Sequence, residues 1–186
     1  MPRVAEPIKI SFEQYLEFEE KSDVRHEFVD GQIFAMAGAS ICHNLISGNI
    51  YALARAAGRA LGCFAFMADV KVLTPNGISY YPDVFSSCDD EQANYLKTNP
   101  CFIVEVLSDS TADIDRGEKW QNYQKILTLE TYVLVSQKSR LVEVYRRQLD
   151  GSWRYEILEG EGTLELPCIN LKLSLEEIYE DVNFTN

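Results

Sequence analysis

The chain has 186 residues, 46% of them apolar and 25% charged, which suits one domain with a full hydrophobic core and argues against disorder. No apolar run approaches the roughly 20 residues that cross a bilayer, and Met1 to Ile10 lacks the apolar centre of a signal peptide, so a cytosolic protein with no membrane contact is expected. The formal net charge of −12 weighs against a free-standing nucleic-acid binder, because phosphates are held mainly by Lys and Arg.

That charge has two readings that keep nucleic acid in play. Carboxylates in a metal site carry a cation when loaded. A basic surface can also be local: Arg140, Arg146, Arg147 and Arg154 lie close together in sequence, either as such a patch or as a solvated strand face.

In chain order, Ser11 to Glu20 reads as a short helix with Ser11 as N-cap and Gln14 in capping-box position. Arg25 to Ala37 reads as a hairpin about Asp30-Gly31. Ile41 to Leu61 carries a helical apolar stripe through Leu45, Ile46, Ile50, Leu53, Ala54 and Ala57, and Gly62 follows as a stop. Strands are expected at 64–67, 70–73 and 78–85, with Pro75-Asn76-Gly77 as a turn and a polar loop from Ser86 to Pro100. Cys101 to Leu107 is apolar enough for a strand buried on both faces.

Ala112 to Leu127 reads as a helix, 131–135 as a buried strand, and Leu141 to Arg147 with Trp153 to Leu158 as a hairpin through Asp150-Gly151. A short strand near 163–166 and a helix over 174–181 close the chain. The order implies an α/β fold with a mixed sheet flanked by helices: one domain over 11–181, with tails at 1–10 and 182–186. The five cysteines form no C-x-x-C pair, so they read as small structural side chains rather than a disulfide framework or a zinc knuckle.

Glu105 is the most informative residue, an acid inside Cys101-Phe-Ile-Val-Glu-Val-Leu107. An ionised carboxylate buried without a partner costs several kcal/mol or more, so something positive must meet it: a buried Lys or Arg, or a metal ion. Asp83, in Tyr80-Tyr81-Pro82-Asp83, would project near a sheet end and alone would read as a turn or cap. Two carboxylates on neighbouring strands become compatible when a hard cation such as Mg²⁺ lies between them. Asp115, Lys119 and Tyr123 share one helix face, either as a surface ion pair or with the ammonium at the acidic site. His43 reads as a polar contact or a site group.

Arg25-His26-Glu27-Phe28 before Asp30-Gly31, His43, Tyr81-Pro82-Asp83, Val104-Glu105-Val106-Leu107-Ser108, Lys119, Tyr123 and Thr131-Tyr132-Val133-Leu134-Val135, in this order, resemble the Uma2 family (DUF820). That family is grouped with the restriction-endonuclease-like fold of the PD-(D/E)XK nuclease superfamily. The resemblance implies a metal-dependent endonuclease acting on DNA, with Asp83 and Glu105 binding Mg²⁺ or Mn²⁺, which would acidify a water and clamp the scissile phosphate. Glu27 then becomes a further acidic ligand or remains a strand-surface charge.

The superfamily lysine, two residues beyond the acid, is here Leu107; a lysine lost from the strand can be replaced in space from the next helix, and Lys119 is the candidate for that. A catalytically silent nucleic-acid- or protein-binding module, or a metal-dependent hydrolase of another substrate, are the rival readings. The apolar and aromatic content leaves room for a homodimer.

Overall fold

The computed structural model describes residues 9–36, 38–89 and 95–184. Most of the N-terminal tail, Ala37 at the end of the expected hairpin, and part of the expected 86–100 loop lie outside these residues.

Helix α1, Phe12–Lys21, starts at Ser11, whose hydroxyl accepts from the Gln14 N–H while the Gln14 side chain accepts from the Ser11 N–H. Strands β1, His26–Val29, and β2, Gln32–Ala35, form the hairpin. Asp30 and Gly31 both take positive φ there, at 50° and 84°, as a two-residue turn of this hand requires. Helix α2, Ile41–Arg59, buries Ile46, Ile50 and Ala54, one stripe of its surface.

Strands β3 to β8 are Phe64–Met67, Lys71–Leu73, Ser79–Tyr80, Val84–Ser87, Leu96–Lys97 and Pro100–Leu107. A short helix α3, Ala112–Ile114, runs through a π-helical turn, Asp115–Lys119, into α4, Trp120–Tyr123. Then come β9 to β12, at Thr131–Ser136, Leu141–Arg147, Trp153–Glu159 and Thr163–Leu166. A 3-10 turn, Pro167–Ile169, leads to β13, Leu171–Ser174, and to α5, Leu175–Ile178.

The larger sheet has the order β11-β10-β9-β8-β6-β3; β8 and β9 run parallel and its other neighbours antiparallel, so it is mixed, as expected. The second sheet is β2-β1-β5-β4-β7, and β12 pairs with β13. Strand β8 is buried along its whole length. Phe102, Val104 and Val106 pack in the cluster with the α2 stripe, while Ile103 and Leu107 join Tyr123, Ile126 and Tyr132 on the other side. Alternation places Glu105 on that second side.

Several expectations need correction. The strand expected over 78–85 is two strands in different sheets, β5 and β6, because Pro82 brings no N–H for a ladder and the chain crosses between sheets there. The helix expected over 112–127 ends at Tyr123, where the chain turns off and leaves Leu127 exposed. Of the helix expected over 174–181, Leu175–Ile178 is helical, with Ser174 as N-cap in a capping box, and Leu171–Ser174 forms a strand. Strand β7 lies inside the expected loop.

The cysteines also depart from their expected reading. Cys63 pairs with Cys88 and Cys101 with Cys168 as disulfides, leaving Cys42 free. Partners 25 and 67 residues apart meet only through the fold, which spacing motifs do not register.

The arginine group is largely structural. Arg146 bonds Glu156 and the Glu165 carbonyl, and Arg154 pairs with the same Glu156. Arg147 donates to the carbonyls of Gln124, Ile126 and Leu129 at 2.7–2.8 Å and lies over the Trp153 ring. It thus closes the chain end that follows α4. Arg147→Ala should cost about 2–3 kcal/mol, the scale of charge-assisted bonds to groups left unpaired. Urea unfolding checks this; a loss under about 1 kcal/mol would mean that water replaces the guanidinium at those carbonyls.

Candidate active site

The site lies in a cleft of about 710 Å³ whose walls include Glu27, His43, Asp83, Glu105, Asp115 and Lys119. It gathers residues from β1, α2, the segment between the two sheets, β8 and the π-helical turn.

Asp83 directly precedes β6, where Val84 pairs with Val104, so continuing the antiparallel register sets Asp83 against Glu105. Its Oδ2 accepts the Val106 N–H at 2.6 Å and lies 3.1 Å from His43 Nε2. Pro82 permits this position: the chain leaves one sheet and enters the other, with the aspartate at the strand end.

Glu105, 2% exposed, is met by a lysine after all. Its Oε1 accepts from Tyr123 OH at 3.0 Å and from Lys119 Nζ at 3.2 Å. The same ammonium lies 3.1 Å from Glu27 Oε1 and 3.1 Å from Asp115 Oδ1. The π-helical turn carries both Asp115 and Lys119, and both are buried, at 2% and 5%. Such turns insert an extra residue and recur at functional sites. Asp115 and Lys119 therefore do not form the surface ion pair that was one reading of their spacing.

The charge balance is uneven. Five carboxylates, Glu27, Asp83, Glu105, Asp115 and Glu118, border the cleft, against the Lys119 ammonium, the one lysine or arginine among the described lining residues. Burial, opposed by Lys119 and reinforced by Asp115, Asp83 and Glu27, raises the Glu105 pKa well above the usual carboxylate range. For Lys119, burial disfavours the charged form, but the carboxylates of Glu105, Glu27, Asp115 and Asp83 outweigh it and hold the ammonium protonated. For His43, burial also works against the imidazolium, yet its hydrogen bond to Asp83 and the charges of Asp83 and Asp115 raise its pKa overall.

The donor set is hard and anionic, the type that holds Mg²⁺ or Mn²⁺ through oxygen. Asp115 Oδ1 is buried without a hydrogen bond, although the Lys119 charge is close. As they stand, the side chains of Glu27, Glu105 and Asp115 turn to the ammonium, and no group of three or more His, Cys, Asp or Glu among the described residues is arranged about a single metal position.

The structure thus brings Asp83, Glu105, Lys119, Glu27, His43 and Tyr123 into one neighbourhood. Sequence reasoning did not place Asp115 among the acids. Its spacing to Lys119 was visible, but the burial of that helix face was not. Glu19 was also missed: buried, it accepts from Tyr81 OH at 2.8 Å and from the His26 backbone at 3.0 Å, bracing the segments that lead to Asp83 and Glu27. An acid on an amphipathic helix gives no sign of such a role.

Among the described residues, no helix is long and apolar enough to cross a membrane. In a structural comparison, the chain matches the crystal structure described as "a putative nuclease belonging to DUF820" from Anabaena variabilis, with a TM-score of 0.75 and 18% identity, over 91% of this chain and 97% of that one. That likeness establishes a shared fold. Among sequence relatives, the uncharacterized protein slr1290 of Synechocystis is 36% identical over 179 residues, 95% of this chain and 94% of its own length. The uncharacterized protein sll1609 of the same organism is 33% identical, covering 80% of this chain and 87% of its own. The profile of the Uma2 family, described as "Putative restriction endonuclease", matches residues 12–176, and the chain belongs to that family.

Proposed function

We propose that the protein is a divalent-metal-dependent endonuclease that hydrolyses phosphodiester bonds in DNA and acts in the cytoplasm. The observation that carries this reading is the excess of carboxylates at one cleft, with Asp83 and Glu105 on adjacent strands and a buried lysine beside them. The family description and the fold shared with a protein described as "a putative nuclease" point the same way.

Asp83 and Glu105 would hold Mg²⁺ or Mn²⁺, with Glu27 and Asp115 within reach as direct or water-mediated partners. When bound, the cation supplies an acidified water and a clamp for the phosphate. The chain does the rest. Tyr123 orients Glu105, and the Val106 N–H with His43 fixes Asp83. Lys119, beside Glu27, Glu105 and Asp115, would hold its ammonium toward the charge that develops on the phosphate. It stands where Leu107 leaves the strand without the usual lysine.

A second reading, a metal-dependent hydrolase of another phosphate-bearing substrate, is favoured by one observation: among the described residues, no lysine or arginine besides Lys119 lines the cleft to follow a duplex backbone. One experiment separates these. Supercoiled plasmid is incubated with the protein in Mg²⁺, Mn²⁺ or EDTA, with Asp83→Asn as control, while thermal melts and light scattering report metal binding and any homodimer. Nicking in metal, its absence in EDTA and in the variant, and a melting temperature raised by metal are expected. A metal-raised melting temperature without DNA cleavage overturns the DNA assignment in favour of the other substrate. Indifference to metal in both assays overturns both and leaves a binding module.

A further inference from the structure

Four cysteines converge at the end of the larger sheet away from the acidic cleft. Cys63 follows α2, Cys88 follows β6, Cys101 sits at the start of β8 and Cys168 lies in the 3-10 turn before β13. Sheet register brings the first two together, since Phe64 pairs with Ser87 and their outer neighbours are Cys63 and Cys88. Gly58 lets Cys63 lie tight against α2: a Cβ there would come within 3.1 Å of the Cys63 carbonyl. The register shift in the β6–β8 pairing, from Ser86 opposite Phe102 to Ser87 opposite Pro100, leaves Cys101 as the extra residue, and its sulfur lies 3.9 Å from that of Cys88. Cys63 Sγ is in turn 4.0 Å from the Cys168 carbonyl.

The two disulfides are therefore not independent staples; their sulfurs form one cluster. Cys88 is exposed, while Cys63 and Cys101 are 5% and 7% exposed. In a tetrahedral tetrathiolate site with Zn–S near 2.3 Å, the sulfurs are about 3.8 Å apart. Cys88 and Cys101 already stand at that spacing across the two pairs. Opening each disulfide leaves its two sulfurs side by side, and the tetrathiolate site requires the remaining cross-pair sulfurs to reach the same spacing.

We propose that these four cysteines are a redox-gated zinc site, closed as two disulfides in the oxidised chain and assembled as Cys63, Cys88, Cys101 and Cys168 thiolates on reduction. A dithiol reductant enters at the exposed Cys88. Each dithiol converts one protein disulfide to two thiols and itself becomes a disulfide, so two dithiols open the cluster. The freed Cys88 thiolate can pass the opening inward by attacking Cys101 Sγ, forming the Cys88–Cys101 bond and expelling the Cys168 thiolate, before the second dithiol acts. Zinc uptake then displaces the four thiol protons. The site is separate from the acidic cleft: Asp83 and Glu105 lie four or five residues away along β6 and β8, on the order of 13–17 Å at strand rise. It holds soft sulfur ligands rather than oxygen.

The test uses the whole chain, air-oxidised or reduced with a dithiol and desalted anaerobically, then loaded with Zn²⁺ or Co²⁺ and desalted again. A thiol assay in denaturant should find one thiol in the oxidised form, from Cys42, and five after reduction. The reduced form should retain one zinc per chain that survives Asp83→Asn with Glu105→Gln, and the oxidised form none. Co²⁺ in the reduced wild type should give sulfur-to-metal charge-transfer bands with intense tetrahedral d–d absorption, and Cys168→Ser should weaken retention by at least about 100-fold. A reduced chain that keeps no zinc, or a Co²⁺ spectrum without sulfur bands, overturns the site. Equal zinc retention by the oxidised chain overturns the gate. Because the cobalt readout needs the wild type alone, misfolding of the serine variant does not protect the idea.

Discussion

Glu105→Gln should abolish most activity while leaving the metal-free protein as stable as wild type, or more so. The carboxylate sits among three other acids, and burial with their charge already pushes it toward its protonated form. Glutamine keeps an acceptor for the Tyr123 hydroxyl and the Lys119 ammonium and removes one unit of repulsion. Cleavage of plasmid DNA should fall by roughly 100- to 1,000-fold, the scale for losing a group that stabilises charge in the transition state. The metal-induced rise in melting temperature should shrink with it. Opposite signs for stability and activity are the mark of a site kept under strain for function. If the variant instead unfolds at least about 2 kcal/mol more easily and cuts DNA at the wild-type rate, Glu105 is half of a structural ion pair.

Lys119→Met should be the most destabilising single change in the cleft when no metal is present. The ammonium is the shared partner of Glu27, Glu105 and Asp115, and methionine leaves them facing one another in a buried space. Removing one partner of a buried pair costs about 3–5 kcal/mol, and the three-way contact places this case at the upper end. Mn²⁺ should restore part of that loss, because carboxylates without an ammonium bind a cation more readily. Urea titrations with and without Mn²⁺ measure both quantities. A variant that melts like wild type in EDTA would show that the three acids find other partners and that the lysine is incidental to them.

Much of the fold was legible because local signals agreed with one another. Ser11 with Gln14, Asp30 with Gly31, and the stripe through Ile46, Ile50 and Ala54 each combined a propensity with a period, and each stands where it was expected. Seven of the eight buried positions of β8, Cys101 to Leu107, could be read from an apolar run broken by a single acid, whereas Pro100 reads as the end of the loop before it. What escaped was set by distant parts of the chain. Nothing near Tyr80 announces that the next strand belongs to another sheet, although Pro82 marks the place. The Cys101–Cys168 disulfide joins β8 to a turn 67 residues away, and Cys101 alone looks like any small core residue.

The acidic site divides in the same way. Glu105 was conspicuous because its own strand could not accommodate its charge. Glu27 and His43 carry no local contradiction, so they gained weight from resemblance to a family rather than from physics. For Asp115 and Lys119 the sequence leaves a solvated ion pair and a place at the acidic site equally open, because helical spacing reports which residues share a face and not whether that face is covered.

The extra residue in the turn that holds Asp115 and Lys119 bears on any attempt to idealise this protein. Deleting one residue there would yield a regular α-helix with better propensity, the kind of edit that a thermostabilising design would favour. The turn would tighten by one residue, and the side chains within it would shift by up to the roughly 100° that one residue spans in an α-helix. Asp115 and Lys119 would then stand three positions apart instead of four, and a more regular molecule would have lost the alignment that sets one ammonium between Glu27, Glu105 and Asp115.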